Sequence, residues 1–167
     1  MRATSLFGSS ICAAALLSAP LPAAAQTLHA TLESYQEVPA VSSSGTGSFR
    51  AKIDKQAGAI HWELSYGDLE GGVQQAHIHL GQHAVNGGIS VFLCTNLGNG
   101  PAGTPTCPTG SVTLNGTIVA GNVIGPGLQG VSAGQFDELV AAMRRGVTYV
   151  NVHSTLWPGG EIRGQIQ

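Results

Sequence analysis

The C-terminal stretch VTYVNVHSTLWPGGEIRGQIQ, residues 147–167, decides the fold. Val150 and Val152 alternate with polar neighbours, and after a seven-residue connection Ile162 and Ile166 resume the period of two. Because successive side chains leave a strand on opposite faces, the two runs predict an antiparallel hairpin with one face in the core. The side chains predicted on its other face are Tyr149, Asn151, His153, Glu161, Arg163 and Gln165.

The same alternation runs through much of the chain, in LHATL (28–32), GSFRAKID (47–54), IHWELSY (60–66) and SVTLNGTI (111–118). Polar clusters separate these runs, and glycine makes up 24 of the 167 residues. Short strands joined by tight turns are typical of all-β proteins. The sequence therefore predicts an antiparallel β-sandwich or barrel.

One segment, SAGQFDELVAAMRRG (132–146), has helical periodicity instead. Ser132 and Gln135 have the spacing of a capping box, and Gly146 suits the position just past a helix end. We therefore expect one short helix over about residues 133–145, packed against one end of the sandwich. Its predicted buried face consists of Phe136, Leu139, Val140 and Met143.

The N-terminal segment MRATSLFGSSICAAALLSAPLPAAAQ is typical of an export signal. Arg2 precedes a short apolar run, and the three alanines 23–25 fit a signal-peptidase site. The apolar run is too short to cross a membrane. We therefore predict a cleaved signal peptide over residues 1–25. The remainder, residues 26–167, is predicted to be a single exported domain without a membrane span, either periplasmic or secreted.

Charged residues are few, and the formal net charge is −2. No run of basic residues is present, which argues against nucleic acid or an anionic membrane as a partner. The sequence also lacks the GxSxG motif of a serine nucleophile and any carboxylate pair that the pattern places together. We therefore expect a non-catalytic protein. The alternative is an enzyme, either an oxidoreductase that uses a bound metal or a hydrolase.

Cys94 and Cys107 are the two cysteines that remain after the predicted cleavage. In an exported protein an even number of cysteines indicates disulfides. A bridge between them would close a segment rich in turn residues and contribute about 3 kcal/mol on the chain-entropy model. The alternative is a pair of thiols that bind a metal or act in redox chemistry, although their spacing matches no CxxC motif.

The stretch AHIHLGQH, residues 76–83, contains three of the six histidines. The alternation predicts that His77 and His79 leave one face of a strand together, with His83 in the loop beyond. Imidazoles from two strands can form a copper or zinc site, so we predict His77, His79 and His153 as ligands and His83 as an auxiliary ligand. The simpler alternative is a polar face that points into solvent.

Other polar residues near these histidines have two alternative roles. Asn151 or Glu161 is predicted to orient an imidazole through its second nitrogen, as the outer partners of metal ligands do. Alternatively, Glu161 and Arg163 form an ion pair with Glu37 or His153 and lock the C-terminal strand without any metal.

These segments also carry a family resemblance. QEVPAVSSSGTGSFRAKI (36–53), AHIHLGQHAVNGG (76–88) and GVTYVNVHSTLWPGGEIRGQI (146–166) occur in the order found in the CHRD domain. This module is repeated in chordin and present singly in many exported bacterial proteins. The resemblance implies an immunoglobulin-like β-sandwich, although Ala40 and Ser154 stand where proline and threonine are more usual. The signature it implies includes Glu37, Pro39, His77, His79, Asn151, His153 and residues 160–165.

More distantly, the chain is similar to copper/zinc superoxide dismutase, a Greek-key sandwich with a His-x-His strand and a loop held by a disulfide. That similarity implies His77, His79 and His153 as a partial copper set. No histidine follows His79 at the spacing needed to bridge two metals, and the zinc-site residues of that family are missing. Dismutase activity is therefore not predicted.

Two functions remain in competition. The first is an exported, non-catalytic protein that binds copper or zinc through surface histidines. The second is a metal-free extracellular module that presents its polar residues to an unknown protein or glycan. Trp157 is then the best candidate for a contact, because aromatic side chains dominate interfaces. The simpler role for Trp157 is to close the end of the sandwich.

Overall fold

The computed structural model describes Met1 and residues 26–167. The predicted signal peptide, residues 1–25, lies outside the described residues apart from Met1. The rest of the chain forms eight strands, one α-helix (α1, Phe136–Arg144) and three short 3₁₀ turns. The strands are β1 Gln26–Glu33, β2 Thr46–Asp54, β3 Ala59–Gly67, β4 Val73–Leu80, β5 Gly88–Thr95, β6 Val112–Ile118, β7 Thr148–Ser154 and β8 Ile162–Gln165.

All eight strands pair antiparallel in one sheet, in the order β5-β4-β7-β8-β1-β2-β3-β6. The junction between β8 and β1 is short. It consists of the pair Glu33–Arg163 and two main-chain hydrogen bonds between His29 and Gln167. The sheet therefore has two four-stranded layers, which are joined where β8 meets β1. The predicted all-β architecture with one short helix is confirmed.

The inner faces of the two layers share one hydrophobic core. Leu32, Phe49 and Leu64 contribute from one layer, and Ile78 and Val91 from the other, all of them buried. Such close packing of large aliphatic and aromatic side chains is the main source of stability in a domain of this size. The four residues that the C-terminal alternation places inward are also buried: Val150, Val152, Ile162 and Ile166.

The helix α1 is shorter than predicted at its start. The Gln135 side chain accepts a hydrogen bond from the Ser132 main-chain N–H at 2.6 Å, but no side chain caps the first helical turn. Only half of the predicted capping box forms, so residues 133–134 make a turn and the helix begins at Phe136. The predicted apolar face is confirmed, because Phe136, Leu139, Val140 and Met143 are buried.

The two layers differ on their outer faces. In β1, β2, β3 and β6 the outward polar side chains, such as Arg50 and Glu63, are exposed, and we call these strands the open layer. In β4, β7 and β8 the outward polar side chains are buried, apart from the half-buried Gln75, and we call β5, β4, β7 and β8 the covered layer. Segments 37–41, 82–87 and 155–160 lie over that face and are called the covering loops.

Cys94 and Cys107 form the predicted disulfide, with their Cα atoms 5.0 Å apart. It joins the end of β5 to the segment before β6. Asn96 strengthens the same link, since its side chain donates to the Cys107 carbonyl at 2.9 Å and accepts from the Cys107 N–H at 3.0 Å. Within the described part of the chain, no helix has the length and apolar character needed to cross a membrane.

Candidate metal centre

Strand register brings the histidines of two distant segments together. β4 lies between β5 and β7, with His77 opposite Asn151 and His79 opposite Tyr149. His153 pairs with Gln75, two residues before His77. Because paired residues point to the same face of a sheet, the three imidazoles emerge side by side on the outer face of the covered layer.

Each of the three imidazoles offers a ring nitrogen within 4.8 Å of the others. Nδ1 of His77 lies 3.2 Å from Nε2 of His153. The ring centroids of His77 and His79 are 5.3 Å apart, and those of His77 and His153 are 5.0 Å apart. Among the described residues, this group has the composition and spacing of a transition-metal ligand set.

Main-chain carbonyls fix the orientation of two of the rings. Nδ1 of His79 donates to the Gly87 carbonyl, and Nδ1 of His153 donates to the Pro158 carbonyl, both at 3.0 Å. A neutral imidazole with its proton on Nδ1 has a free lone pair on Nε2. The covering loops therefore present Nε2 of both rings as acceptors or ligands. Asn151 and Glu161, which the sequence proposed for this orienting role, do not occupy it.

The histidines are not at the surface, and the expectation of surface histidines is wrong. His77 is 0 % exposed, His79 8 % and His153 7 %. The alternation correctly places these side chains away from the core, but the covering loops exclude solvent from the face they share. His83, by contrast, is exposed in its loop and lies outside the group of three.

Burial keeps the imidazoles neutral. Removal from water, together with the neighbouring His153 and His79, lowers the pKa of His77 to about 2. Burial is also the main cause that lowers the pKa of His79 to about 4 and the pKa of His153 below its usual range. Neutral imidazole is the form that binds metals, so all three rings are ready as ligands at neutral pH.

The group passes a test of fit for copper or zinc. Nε2 of His77 and Nε2 of His79 are buried and have no hydrogen-bond partner in the protein. Nδ1 of His77 donates to Nε2 of His153 at 3.2 Å, which leaves the lone pair of His77 on its unpartnered Nε2. Two metal–nitrogen bonds at a tetrahedral angle separate their nitrogens by about 3.3 Å, so ring nitrogens that lie within 4.8 Å of one another must approach by up to about 1.5 Å to share an ion.

Aromatic and cationic groups hold the rings from the sides. Tyr149 stacks on His79 with centroids 4.7 Å apart and planes at 5°. The Arg163 guanidinium carbon lies 3.4 Å from the centre of the Tyr149 ring, within cation–π range. Phe92 meets the His77 ring edge-on at 4.4 Å. These contacts pack against the rings of His77 and His79 and support their orientation.

Arg163 also anchors a covering loop. Its guanidinium donates to the carbonyls of Gln82 and Val85, at 3.1 and 2.8 Å, and to the Asn86 side chain at 3.0 Å. It is 2 % exposed. The same loop supplies the Gly87 carbonyl that orients His79, so Arg163 acts on the histidines through the backbone of the loop.

Glu37 and Glu161 have different hydrogen-bond partners. The Asn151 amide donates to Glu37, and burial raises the pKa of Glu37 to about 7 although Arg163 nearby opposes the rise. Glu161 instead accepts from the Ser43 hydroxyl and the Glu70 main-chain N–H, both at 2.6 Å. Of the two acids, Glu37 is the one whose partner, Asn151, lies on the histidine face.

Sequence reasoning did not identify several contributors to this site. The alternation predicts the correct face for Tyr149 but no role for it, although Tyr149 and His153 are four residues apart and therefore point to the same face. Phe92 lies in the largely apolar run ISVFLC, where no alternation with polar residues shows that its side chain points outward. The Gly87 and Pro158 carbonyls have no side-chain signal at all.

A family model described as CHRD domain matches residues 28–166. CHRD domains are extracellular modules, and the Cys94–Cys107 disulfide is consistent with that setting. No curated protein and no solved structure matched the chain, so the comparisons add no support to the distant similarity to copper/zinc superoxide dismutase. Since the match spans the helix and all eight strands except the first two residues of β1, the chain belongs to the CHRD domain family.

Proposed function

We propose that this CHRD domain is an exported, non-catalytic protein that binds one copper or zinc ion through His77, His79 and His153. The observation that carries the proposal is the pair of buried, unpartnered ring nitrogens, Nε2 of His77 and Nε2 of His79, within a group of three converging imidazoles. Buried polar atoms are nearly always paired in folded proteins, so two orphans in one cluster point to a missing partner.

The donor set selects the class of metal. Three neutral imidazoles and no carboxylate suit copper, zinc or nickel and not calcium or magnesium, which require oxygen ligands. At equal free concentrations Cu²⁺ binds nitrogen ligands more tightly than Zn²⁺. Arg163 lies close to His79, through Tyr149, and its positive charge opposes the binding of a cation, so the affinity for a metal must come from the imidazole nitrogens.

Native mass spectrometry of tag-free protein from cells supplemented with copper or zinc tests the proposal. Wild-type protein is expected to contain one ion per chain, and the His77→Ala/His79→Ala protein none. The matched control is His29→Ala/His61→Ala, which removes two histidines that the structure leaves exposed on the open layer. Equal metal content in all three proteins would end the proposal.

A second readout separates lost binding from lost folding. Addition of zinc to a free concentration of 100 times the dissociation constant stabilises a protein by about 2.7 kcal/mol. Wild-type and control proteins should show this rise in unfolding free energy, and a folded His77→Ala/His79→Ala protein should not. Stabilisation of that variant by zinc would place the metal elsewhere on the protein.

A further inference from the structure

The sheet is not closed, because its end strands β5 and β6 do not pair with each other. Between them lies a cleft of about 250 Å³. Residues 91–93 of β5 and residues 115–118 of β6 line it, and Trp62, Asn122 and residues 103–105 complete the lining. We call this cleft the seam, and among the residues that the structure describes its lining contains no charged side chain.

One strand at the seam has a free main-chain edge. β6 pairs with β3 along its whole length, from Val112–Tyr66 to Ile118–Ile60. Within residues 26–167, no main-chain group bonds to the other edge of β6. Exposed edge strands usually carry lysine, proline or a bulge that prevents further pairing. The β6 sequence VTLNGTI has no lysine or proline, and its register with β3 is regular.

The facing strand, β5, is protected by comparison. The Thr95 N–H donates to the Pro105 carbonyl, and the Ser90 carbonyl accepts from the Ile124 N–H, both at 2.9 Å. Its pairing with β4 also contains two register shifts. These features cover both ends of the β5 edge, so β6 is the side of the seam that is available for pairing.

The side chains of β6 indicate the chemistry of a partner. Val112 and Leu114 face the core but are only partly buried, so the core is incomplete at this edge. On the outer face, Thr113 bonds to Ser65 at 2.7 Å and Thr117 bonds to His61 at 3.1 Å. An added strand with apolar residues inward and hydroxyl residues outward would extend both the core and this polar ladder.

We infer that the seam binds an extended, uncharged segment of a partner protein, which pairs with β6 as an additional antiparallel strand. A single strand is favoured over the edge of a second folded sheet, because residues 103–105 also line the cleft beside β6. The inference does not depend on the metal, because the pairing edge belongs to β6 and the histidines belong to β4 and β7, although Phe92 of β5 touches both the seam and His77.

A synthetic peptide with the sequence VTLNGTI, blocked at both ends, is a suitable uncharged probe. Hydrogen exchange of the mature protein, measured by NMR, reports its binding. We expect amides of residues 112–118 that exchange freely to slow by about tenfold or more at saturating peptide. In a control peptide, proline replaces the adjacent Leu and Asn at its centre. Each edge of the peptide then lacks one main-chain donor, and the control should give no protection.

Variants locate the binding to the strand edge. Asn115→Lys places a charge on the exposed side of β6 and should abolish protection. Thr31→Lys places the same charge on the outer face of β1 and should leave it unchanged. The His77→Ala/His79→Ala protein should bind the peptide as the wild type does, which separates this test from that of the metal site.

Three results would overturn the inference. The first is equal protection by the proline peptide, and the second is undiminished binding by Asn115→Lys. The third is a concentration-dependent dimer, seen by analytical ultracentrifugation and lost in Asn115→Lys, because it would assign the β6 edge to a second copy of the chain.

Discussion

The outer faces of the two layers have the same sequence pattern and opposite environments. In the open layer, Arg50 and Glu63 alternate with core residues and are exposed. In the covered layer, His77, Asn151 and Arg163 alternate with core residues in the same way, yet their exposure is 0, 3 and 2 %. The difference comes from the covering loops, since no described segment of residues 26–167 buries the outer side chains of the open layer in the same way.

This difference in environment changes how much each polar residue depends on particular hydrogen-bond partners. A polar group in water can exchange its partners at little cost, whereas a buried one costs free energy unless it is bonded. On the covered layer most polar groups accordingly have defined partners, as Arg163 has in Asn86 and Gln82. Several buried atoms of this layer nevertheless lack a partner, among them Oγ1 of Thr148 and Oε1 of Gln165. The unpartnered nitrogens of His77 and His79 differ from these because they lie together in a group of three converging imidazoles, which is why they indicate a ligand.

Removal of Arg163 should give the largest effect. Arg163→Met would leave the carbonyls of Gln82 and Val85 and the Asn86 side chain without their donor, and would remove the cation from Tyr149. We expect the free energy of unfolding in urea to fall by about 3–5 kcal/mol. The matched change on the open layer, Arg50→Met, should cost less than about 1 kcal/mol. Equal losses would show that the covering loops are not held by Arg163.

The second prediction concerns Glu37, whose pKa is about 7 in the folded protein and 4.5 as its ordinary value. The folded state therefore holds a proton between pH 4.5 and 7 that the unfolded state releases. Its contribution to stability is complete below pH 4.5 and is lost as the pH rises to 7, by about 3 kcal/mol.

The difference in unfolding free energy between wild type and Glu37→Gln isolates this contribution. The glutamine still accepts from Asn151 but does not titrate. The lowered pKa values of the histidines act in the opposite direction, since their contribution is present above pH 6.5 and is lost as the pH falls. They are common to both proteins and cancel. Wild type should lose about 3 kcal/mol relative to Glu37→Gln between pH 4.5 and 7.5. A difference that does not vary with pH would show that Glu37 is ionised in the fold.

The alternation of apolar and polar residues is sufficient to predict which face of a strand each side chain occupies, but not whether that face is buried. The period of two correctly placed His77, His79 and His153 opposite the core, because parity depends only on strand geometry. The pairing of β4 with β7 joins segments about 70 residues apart in the chain, and no local signal in either strand specifies it. The covering loops depend on similar long-range contacts, such as those of Arg163 with residues 82–86, so the burial of the histidines was not predictable.

The helix start shows a second limit. Ser132 and Gln135 have the spacing of a capping box, and the glutamine does reach the Ser132 N–H. The serine hydroxyl makes no reciprocal bond, and the chain turns at residues 133–134 before the helix begins. Spacing identified which residues interact, but the backbone angles of Gln135, φ −79° and ψ 72°, are not helical and make Phe136 the first helical residue.

The smallest effect is expected on the open layer, where Arg50 lies directly opposite Glu63 across β2 and β3. Both side chains are exposed, so solvent and salt screen their attraction. A double-mutant cycle with alanine at both positions should give a coupling energy of about 0.5 kcal/mol that vanishes in 1 M salt. The corresponding cycle for Glu37 and Asn151, buried on the covered layer, should give about 1.5 kcal/mol or more with little dependence on salt. Similar, salt-sensitive values for both pairs would mean that water reaches the covered layer as freely as the open one.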